Sequence, residues 1–321
     1  MTEACTFAAD PIDRFGFGCV KLGGSSSPGS AREAERLVRT AVDAGVTLFD
    51  TADAYGAGIS EMTLGRALGR DRSRVTIATK GGYLFNERSS IERKLRSAAA
   101  PVVRTLRRRG LGDQFGRLGA GNYAAQDFSA GSIRGAVEAS LRRLRTDYID
   151  IYQIHGPPQL CPSETLDLMR RLVAAGTIRA FGVGLERVID ADPWLTVDGL
   201  THLQLPFGVF DASAREVVFP RSEQRGLTVL ARAVLGSGSL ESPSPAALER
   251  VDRLRAMAAS LGVDVGQLAV WYSMSHREVG RVLVGLNSLD HLLTTLKWIR
   301  SPLPDAHLVD AIDEQLGRSA S

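Results

Sequence analysis

Residues 36–50, RLVRTAVDAGVTLFD, read as a helix, a stop and a strand that ends on a carboxylate. Leu37, Val38, Ala41 and Val42, with Ala34 just upstream, fall on one face at helical spacing. Gly45 follows where a helix commonly ends in a left-handed residue, which suits a short helix-to-strand turn. The run from Val46 to Phe49 is apolar and nearly continuous, as strands covered on both faces are. The same unit recurs where DLMRRLVAAG (167–176) runs into TIRAFGV and where PRSEQRG (220–226) runs into LTVLA. In the helix expected from Ser132, residues Ile133, Val137, Leu141 and Leu144 share a face.

Extending this reading gives strands near 15–20, 46–50, 75–79, 148–154, 178–183, 201–205, 227–232 and 281–285, most of them separated by helical segments. Strands alternating with helices in this number over a chain of 321 residues predict an α/β fold, a (β/α)8 TIM barrel forming one domain over 1–321. A doubly wound sheet would carry G-x-G-x-x-G between a strand and a helix. GFGCVK (16–21) lacks the third glycine, and GLGDQFG (110–116) follows a basic helical stretch rather than a strand.

Segment 83–129 breaks the repeat. It is far longer than an ordinary strand-to-helix loop and is expected to pass over one mouth of the barrel, helical from about Ile91 to Arg108. Between Asn86 and Arg117 nine basic residues face three acids, a local charge of +6 in a chain whose net charge is +3, so the remainder carries −3. Such a segment could attract an anionic substrate, dock a partner, or be a solvated arginine-rich helix. No aromatic residue is interleaved with its arginines between Ile91 and Gln114, which speaks against nucleic acid.

Composition narrows the class further. Apolar content of 44% and charged content of 23% are those of a soluble globular protein. No apolar run approaches the roughly 20 residues that cross a bilayer, so no membrane role is expected. The N-terminal stretch lacks a basic start followed by an apolar core, so no signal peptide is expected. Cys5, Cys19 and Cys161 form neither a paired framework nor a metal-ligand cluster. These features together read as a cytoplasmic protein without a bound metal.

Catalytic groups of such barrels sit at the C-terminal ends of strands. Asp50 ends the second strand, with Tyr55 in the loop beyond it; VTIATK places Lys80 at the end of the third, and DYIDIYQIH places His155 at the end of the fourth. Taken alone, Asp50–Thr51 could cap the next helix and Tyr55 could cover the core. Taken together, the four make a proton-transfer set. A phenol ordinarily ionises near ~10, an ammonium beside it pulls that value down, a carboxylate holds the ammonium, and an imidazole orients a substrate oxygen. Tyr55 would then protonate a carbonyl oxygen as hydride reaches the carbon.

At these residues the chain resembles the aldo-keto reductases. LFDTADAYGAGISEMTLGRAL (48–68), VTIATKGG (75–82), SLRRLRTDYIDIYQIHGP (140–157) and the block VDVGQLAVWYSMSHREVGRVLVGLNSLDHL (263–292) are similar to that family's motifs, in its order. The resemblance implies a barrel, reversible carbonyl reduction, a nicotinamide cofactor, and Asp50, Tyr55, Lys80 and His155 as the catalytic tetrad. It further implies cofactor contacts from the backbone at Gly18, Cys19 and Val20, from Asp50, and from Gln204 near the nicotinamide amide. The loop LGSGSL, with Leu235, Gly236 and Gly238, would approach a pyrophosphate. Gly285, Asn287 and Ser288 lead into a helix N-terminus suited to an anion.

Departures from the family pattern are equally specific. Gly184 and Leu185 stand where Ser-Asn is frequent, Arg232 where an aromatic residue stacks on the nicotinamide, and Asn287 where an arginine meets the 2′-phosphate. A missing guanidinium loses a bidentate phosphate contact. NADP(H) is therefore the expected cofactor on family grounds, with NAD(H) kept open. The expected function is NAD(P)H-dependent reduction of an aldehyde, ketone or sugar-type carbonyl. The alternatives are a cofactor-binding accessory or sensor protein on the same fold, and a lyase using Lys80 as a Schiff-base nucleophile.

Overall fold

The computed structural model describes residues 10–22, 29–85, 123–301 and 307–317. The whole basic run 86–117, the helix expected over 91–108, Cys5 and parts of the C-terminal tail lie outside the described residues. The strands in chain order are β1 (Phe15–Gly18), β2 (Leu48–Asp50), β3 (Thr76–Gly81), β4 (Tyr83–Phe85), β5 (Tyr123–Gln126), β6 (Ile149–His155), β7 (Ile178–Gly184), β8 (Leu200–Pro206), β9 (Thr228–Arg232) and β10 (Val279–Gly285). The helices are α1 (Ala31–Asp43), α2 (Ile59–Leu68), α3 (Ala130–Leu144), α4 (Ser163–Ala174), α5 (Ala214–Val217), α6 (Phe219–Gln224), α7 (Pro245–Ser260), α8 (Val265–Met274), α9 (Leu289–Arg300) and α10 (His307–Gln315).

Eight strands close a parallel barrel in the order β1-β10-β9-β8-β7-β6-β3-β2. Each expected strand is present, with ends shifted by up to a few residues. The first stops at Gly18, because Cys19–Leu22 turn into a 3-10 segment. Helix α1 buries the expected face, Ala34, Leu37, Val38, Ala41 and Val42. Ser30 caps it: its Oγ accepts from Glu33 N–H at 3.3 Å, and Glu33 Oε2 accepts from Ser30 N–H at 2.5 Å. Gly45, Gly176 and Gly226 all adopt positive φ (+93°, +72° and +64°) directly before a strand, as the helix-stop reading requires.

Inside the barrel, Leu48, Ala78, Ile151, Leu230 and Leu283, with Ala180, form an apolar layer. Alternate residues of a strand share a face. The residues two positions further along β2, β3, β6 and β9 are therefore Asp50, Lys80, Gln153 and Arg232. The polar site thus stands directly on an apolar floor. Outward-facing residues such as Phe17, Phe49 and Ile77 pack into the core under the helices, with Phe17 stacked on Phe49 at 5.5 Å between ring centroids. Among the described residues no helix is long and apolar enough to cross a membrane.

An antiparallel hairpin of β4 and β5, pairing Tyr83 with Gln126 and Leu84 with Ala125, is absent from the sequence reading. Its strands are short and flank the stretch 86–122, so no local turn signal joins them.

Helices α2 and α3 touch at Gly65, where a Cβ would lie 2.6 Å from the carbonyl carbon and oxygen of Leu144. Gly135, in α3, has nothing within 4 Å of its virtual Cβ. Gly135→Ala is expected to stabilise the protein by about 0.5–1 kcal/mol through backbone entropy. Gly65→Ala, the same change on paper, is expected to cost about 1–3 kcal/mol by overpacking. Urea denaturation of both variants checks this, and equal gains would show that the helices can part without penalty.

Candidate active site

Asp50 is the last residue of β2, and the chain then turns sharply from Thr51 to Gly58. That turn is fastened to its neighbours by backbone bonds, from Thr51 N–H to Ala78 O at 2.8 Å and from Asp53 N–H to Lys80 O at 3.0 Å. Thr51 Oγ1 and Ser60 Oγ lie 2.8 Å apart, and Ser60 Oγ donates to Cys19 O at 3.0 Å. Gly56, Ala57 and Gly58 all have positive φ, so the turn reverses within a few residues and brings Tyr55 back over β3. Helix α2 begins after Gly58 with no side-chain cap. Asp50 is therefore not a helix cap.

The Asp50 carboxylate faces Lys80. Lys80 Nζ donates to Asp50 Oδ1 and Oδ2, each at 2.8 Å, to Thr51 O at 2.8 Å, and approaches Tyr55 Oη at 3.4 Å. Both charged residues are buried, Lys80 with 1% of its surface exposed. Burial works against the ammonium, but Asp50 and then Tyr55 outweigh it, so the Lys80 pKa lies above its ordinary value and the amine stays protonated.

The phenol departs from expectation. Lys80 does pull the Tyr55 pKa down, but burial pushes it up more strongly and Asp50 adds to the rise, leaving it above the ordinary value. The pull of Lys80 on the phenol is larger than the opposing push of Asp50, but burial outweighs both. In this state Tyr55 is a neutral O–H donor.

His155 ends β6 and is 9% exposed. The Tyr55 ring meets it edge-on at 5.9 Å, and Tyr83 from the hairpin does so at 4.8 Å. Burial first, then Lys80 and Arg232, hold its pKa well below the ordinary value, so the imidazole is neutral. The hairpin also fixes the loop behind it: Gln126 Nε2 donates to His155 O at 3.1 Å and Gly156 O at 3.0 Å. Neither Tyr83 nor Gln126 was singled out in the sequence, since their positions depend on the unforeseen hairpin.

The expected cofactor residues fall into two groups. Gly18 pairs in register with both Asp50 and Gly285. A Cβ on Gly18 would stand 3.1 Å from Val284 O and 3.2 Å from Gly285 Cα, so this corner is kept free of side chains. Cys19 is buried with Sγ toward Phe17 O, so its backbone alone can meet a ligand, whereas Val20 is exposed. Ser288 caps α9 as expected, accepting from His291 N–H at 3.1 Å, with half-buried Asn287 beside it. In the loop after β9, Gly236 and Gly238 have positive φ (+69° and +98°) and Leu235 packs against the core.

Gln204 and Arg232 differ from the expected pattern. Gln204 reaches across the barrel from β8, and its Nε2 donates to Asp50 Oδ1 at 2.8 Å. Gly184 makes room for this, since a Cβ there would lie 3.2 Å from Gln204 Oε1 and 3.4 Å from Lys80 Cδ. Arg232 Nη2 donates to Leu185 O at 2.9 Å, Glu186 O at 3.1 Å and Glu186 Oε2 at 2.9 Å. Glycine at 184 and a carbonyl-anchored guanidinium at 232 are thus parts of the site's own packing. Among the described residues no group of three or more His, Cys, Asp or Glu could hold a metal. A 710 Å³ depression lined by Arg70, Arg72, Arg142 and Tyr148, among others, adjoins the N-terminal end of β6, away from these groups.

Residues 14–315 match the profile of the aldo/keto reductase family. The chain belongs to the aldo/keto reductase family. This aldo-keto reductase is 32% identical over 231 residues to the aldo-keto reductase YhdN of Bacillus subtilis, a match covering 71% of this chain and 60% of that protein. It is 29% identical over 240 residues to an NADH-specific methylglyoxal reductase of Escherichia coli, covering 71% of this chain and 65% of that one. The chain thus spans less than two thirds of the length of both relatives. An aldo/keto reductase from Klebsiella pneumoniae, solved in complex with NADP and acetate, superposes with a TM-score of 0.70 at 22% identity, over 96% of this chain and 93% of the other. That likeness concerns the fold.

The electrostatics of the site are open to direct test. The His155 imidazole is expected to keep one protonation state between about pH 5 and pH 8, read from its ¹⁵N shifts against a His155→Asn control. A midpoint near the ordinary ~6.5 would mean that burial and the two cations do not govern it.

Proposed function

We propose that this aldo-keto reductase reduces an aldehyde or ketone to the alcohol, with Tyr55 giving the proton to the carbonyl oxygen. The observation that supports this most is the contact of a buried, permanently charged Lys80 with the Tyr55 hydroxyl at 3.4 Å, backed by Asp50 at 2.8 Å. The chemistry supplied by the nicotinamide, when bound, is a hydride to the carbonyl carbon.

In this reading His155, neutral and unable to compete as an acid, directs an imidazole nitrogen at the carbonyl oxygen and holds it beside Tyr55. As the oxygen gains electrons, the Tyr55 O–H bond breaks and a new O–H bond forms on the product. The phenolate left behind is balanced by Lys80, and the raised phenol pKa keeps the proton in place until that moment. Asp50 and Gln204 fix the direction of the ammonium. Tyr83 walls the site beside His155 and limits the shape of the substrate.

The residues present fit a nicotinamide dinucleotide. At Gly18 a Cβ would press on the backbone of Val284 and Gly285, so bare backbone is presented there, with the Val20 side chain beside Gly285, and the Ser288-capped start of α9 supplies an anion site. Arg232 would flank the nicotinamide end, and the Leu235–Gly238 turn the pyrophosphate. NADPH is the first expectation, in line with the NADP-bound Klebsiella protein. With Asn287 in place of a guanidinium, NADH is the second, in line with the NADH-specific E. coli relative. A Schiff-base role for Lys80 is disfavoured, because three strong acceptors hold its amine protonated.

Titration of the protein with NADPH and NADH, followed by tryptophan quenching and calorimetry, tests the cofactor. Tyr55→Phe is expected to keep the wild-type cofactor affinity within about threefold while kcat falls by about 10²–10⁴-fold, the range of a lost proton donor. Turnover equal to wild type in this variant would remove Tyr55 from the role.

A further inference from the structure

Behind the turn that carries Tyr55 lies a second polar cluster that the proposed reaction does not use. Asp53 is 2% exposed, and its Oδ1 has no hydrogen-bond partner. The groups facing it come from four elements. From α2 comes Glu61, wholly buried, which accepts from Thr79 Oγ1 at 2.6 Å and from Arg143 Nε at 2.5 Å. From α3 comes Arg143 itself, from β3 the Lys80 ammonium, and from β6 the Tyr152 hydroxyl, which is buried without a partner. Gly81 leaves the space these groups share: a Cβ there would lie 2.1 Å from Tyr152 Oη and 3.2 Å from Asp53 Oδ2.

Two carboxyls therefore sit in one dry pocket beside one guanidinium, and Glu61 already holds it. Lys80 is likewise taken by Asp50. A carboxylate at Asp53 would keep the Ala54 N–H as a hydrogen-bond donor, but it would have no cation of its own and a like charge beside it. At the same time the Asp53 N–H bonds to Lys80 O, so Asp53 joins the tyrosine turn to the lysine strand.

We propose that Asp53 is a positioning residue for Tyr55: its carboxyl must keep its proton for the 51–58 turn to hold the phenol against Lys80, and alkaline loss of that proton loosens the turn. Burial, and next the Glu61 carboxylate, push the Asp53 pKa up to about 8, which places the change just above neutrality. Glu61 and Arg143 set that midpoint. Tyr55 and Lys80, both raised above their ordinary values, keep their protons through it. The inference adds an alkaline limit to the proposed reaction, and its effect on turnover rests on that reading.

The structural part is tested without turnover. Hydrogen exchange of the peptide spanning 51–60 is measured at pH 6.5 and pH 9, corrected for the intrinsic rate. Wild type is expected to lose protection at least about fivefold at the higher pH, and Asp53→Asn to lose none. Equal loss in both overturns the proposal. Should Asp53→Asn fail to fold, Glu61→Gln decides: it removes the like charge and frees Arg143 for Asp53, so the turn is expected to stay protected at pH 9. Loss of protection in Glu61→Gln equal to that of wild type counts against the proposal.

Thermal melting gives a second reading with a defined sign. Asp53 keeps its proton to about pH 8 when folded, whereas in the unfolded chain it releases it near ~3.9. The folded state binds the extra proton in that window, so stability falls as pH rises through it. Asp53→Asn is therefore expected to gain in Tm over wild type progressively from pH 5 to pH 8; a constant offset contradicts a held proton.

In NADPH-driven reduction of 4-nitrobenzaldehyde, kcat of wild type is expected to fall above pH 8 while KM holds, with Asp53→Asn retaining its rate to higher pH. A wild-type protein that binds NADPH but does not turn over would overturn the proposed reaction, leaving the exchange and melting results to decide Asp53. Parallel alkaline limbs in wild type and Asp53→Asn would overturn the role of Asp53.

Discussion

A lysine ammonium sealed inside a barrel has to be answered by negative charge, and most of the site's geometry follows from how Lys80 is answered. Its three short contacts come from both oxygens of Asp50 and the carbonyl of Thr51. Those acceptors lie on the neighbouring strand and the first residue of its loop, so the pair fixes the end of β2 against β3. Gln204 then reaches from the far side of the barrel to the same carboxylate. Removing one member of such a pair strands the other charge and costs about 3–5 kcal/mol, more than a well-packed apolar pair would need to lose. The arrangement is kept for position. Lys80 and Gln204 converge on Asp50 over the apolar floor, and Gly184 on β7 leaves both side chains room, since a Cβ there would lie 3.2 Å from Gln204 Oε1 and 3.4 Å from Lys80 Cδ.

Burial decides how the neighbouring titratable groups behave. At the phenol it outweighs the pull of Lys80 at 3.4 Å, and Asp50 adds to the rise. At the imidazole burial is again the leading cause, and the two cations Lys80 and Arg232 add to it, so the ring is neutral. Both rings are thus held neutral, the phenol against one cation and the imidazole with the help of two.

Much of this was legible in the sequence, and the limits are physical. Helix faces, glycine stops and strand-end polar residues are local signals, and the Ala34–Val42 face, Gly45 and Asp50 all fall as read. Contacts that join distant segments leave no local mark. The Glu61–Arg143 pair spans α2 and α3, Gln204 crosses the barrel, and Tyr83 and Gln126 meet His155 only because a hairpin forms from strands far apart in sequence. The direction of the Tyr55 shift was misread for a related reason. Sequence shows that a lysine is near but not how deeply the hydroxyl is buried. Arg232, a departure from family expectation when read as a letter, becomes intelligible once its guanidinium is seen to donate to the backbone carbonyls of residues 185 and 186 and to the Glu186 carboxylate.

The two halves of the mouth are built to different standards of rigidity. The tyrosine turn is tied by backbone bonds to β3 and by hydroxyls to α2 and the end of β1, so its position is set by the barrel. The loop after β9 is held by its own short turns, with bonds from Gly236 N–H to Ala233 O at 2.7 Å and Ser239 N–H to Gly236 O at 3.0 Å. It places Ala233 and Ser237, neither of them glycine, at φ of +58° and +54°, each at a cost of order 1–3 kcal/mol. Packing of Leu235 into the core and of Gly236 against the Phe210 ring keeps that conformation, since a Cβ at 236 would lie 2.5 Å from the ring. A proton donor must be held to a fraction of an ångström before substrate arrives, whereas a phosphate-facing loop can complete its order around its ligand. The long-range ties of this barrel follow that division and gather under Tyr55, while left-handed non-glycine residues occur on both sides, at Ala57 as well as at Ala233 and Ser237.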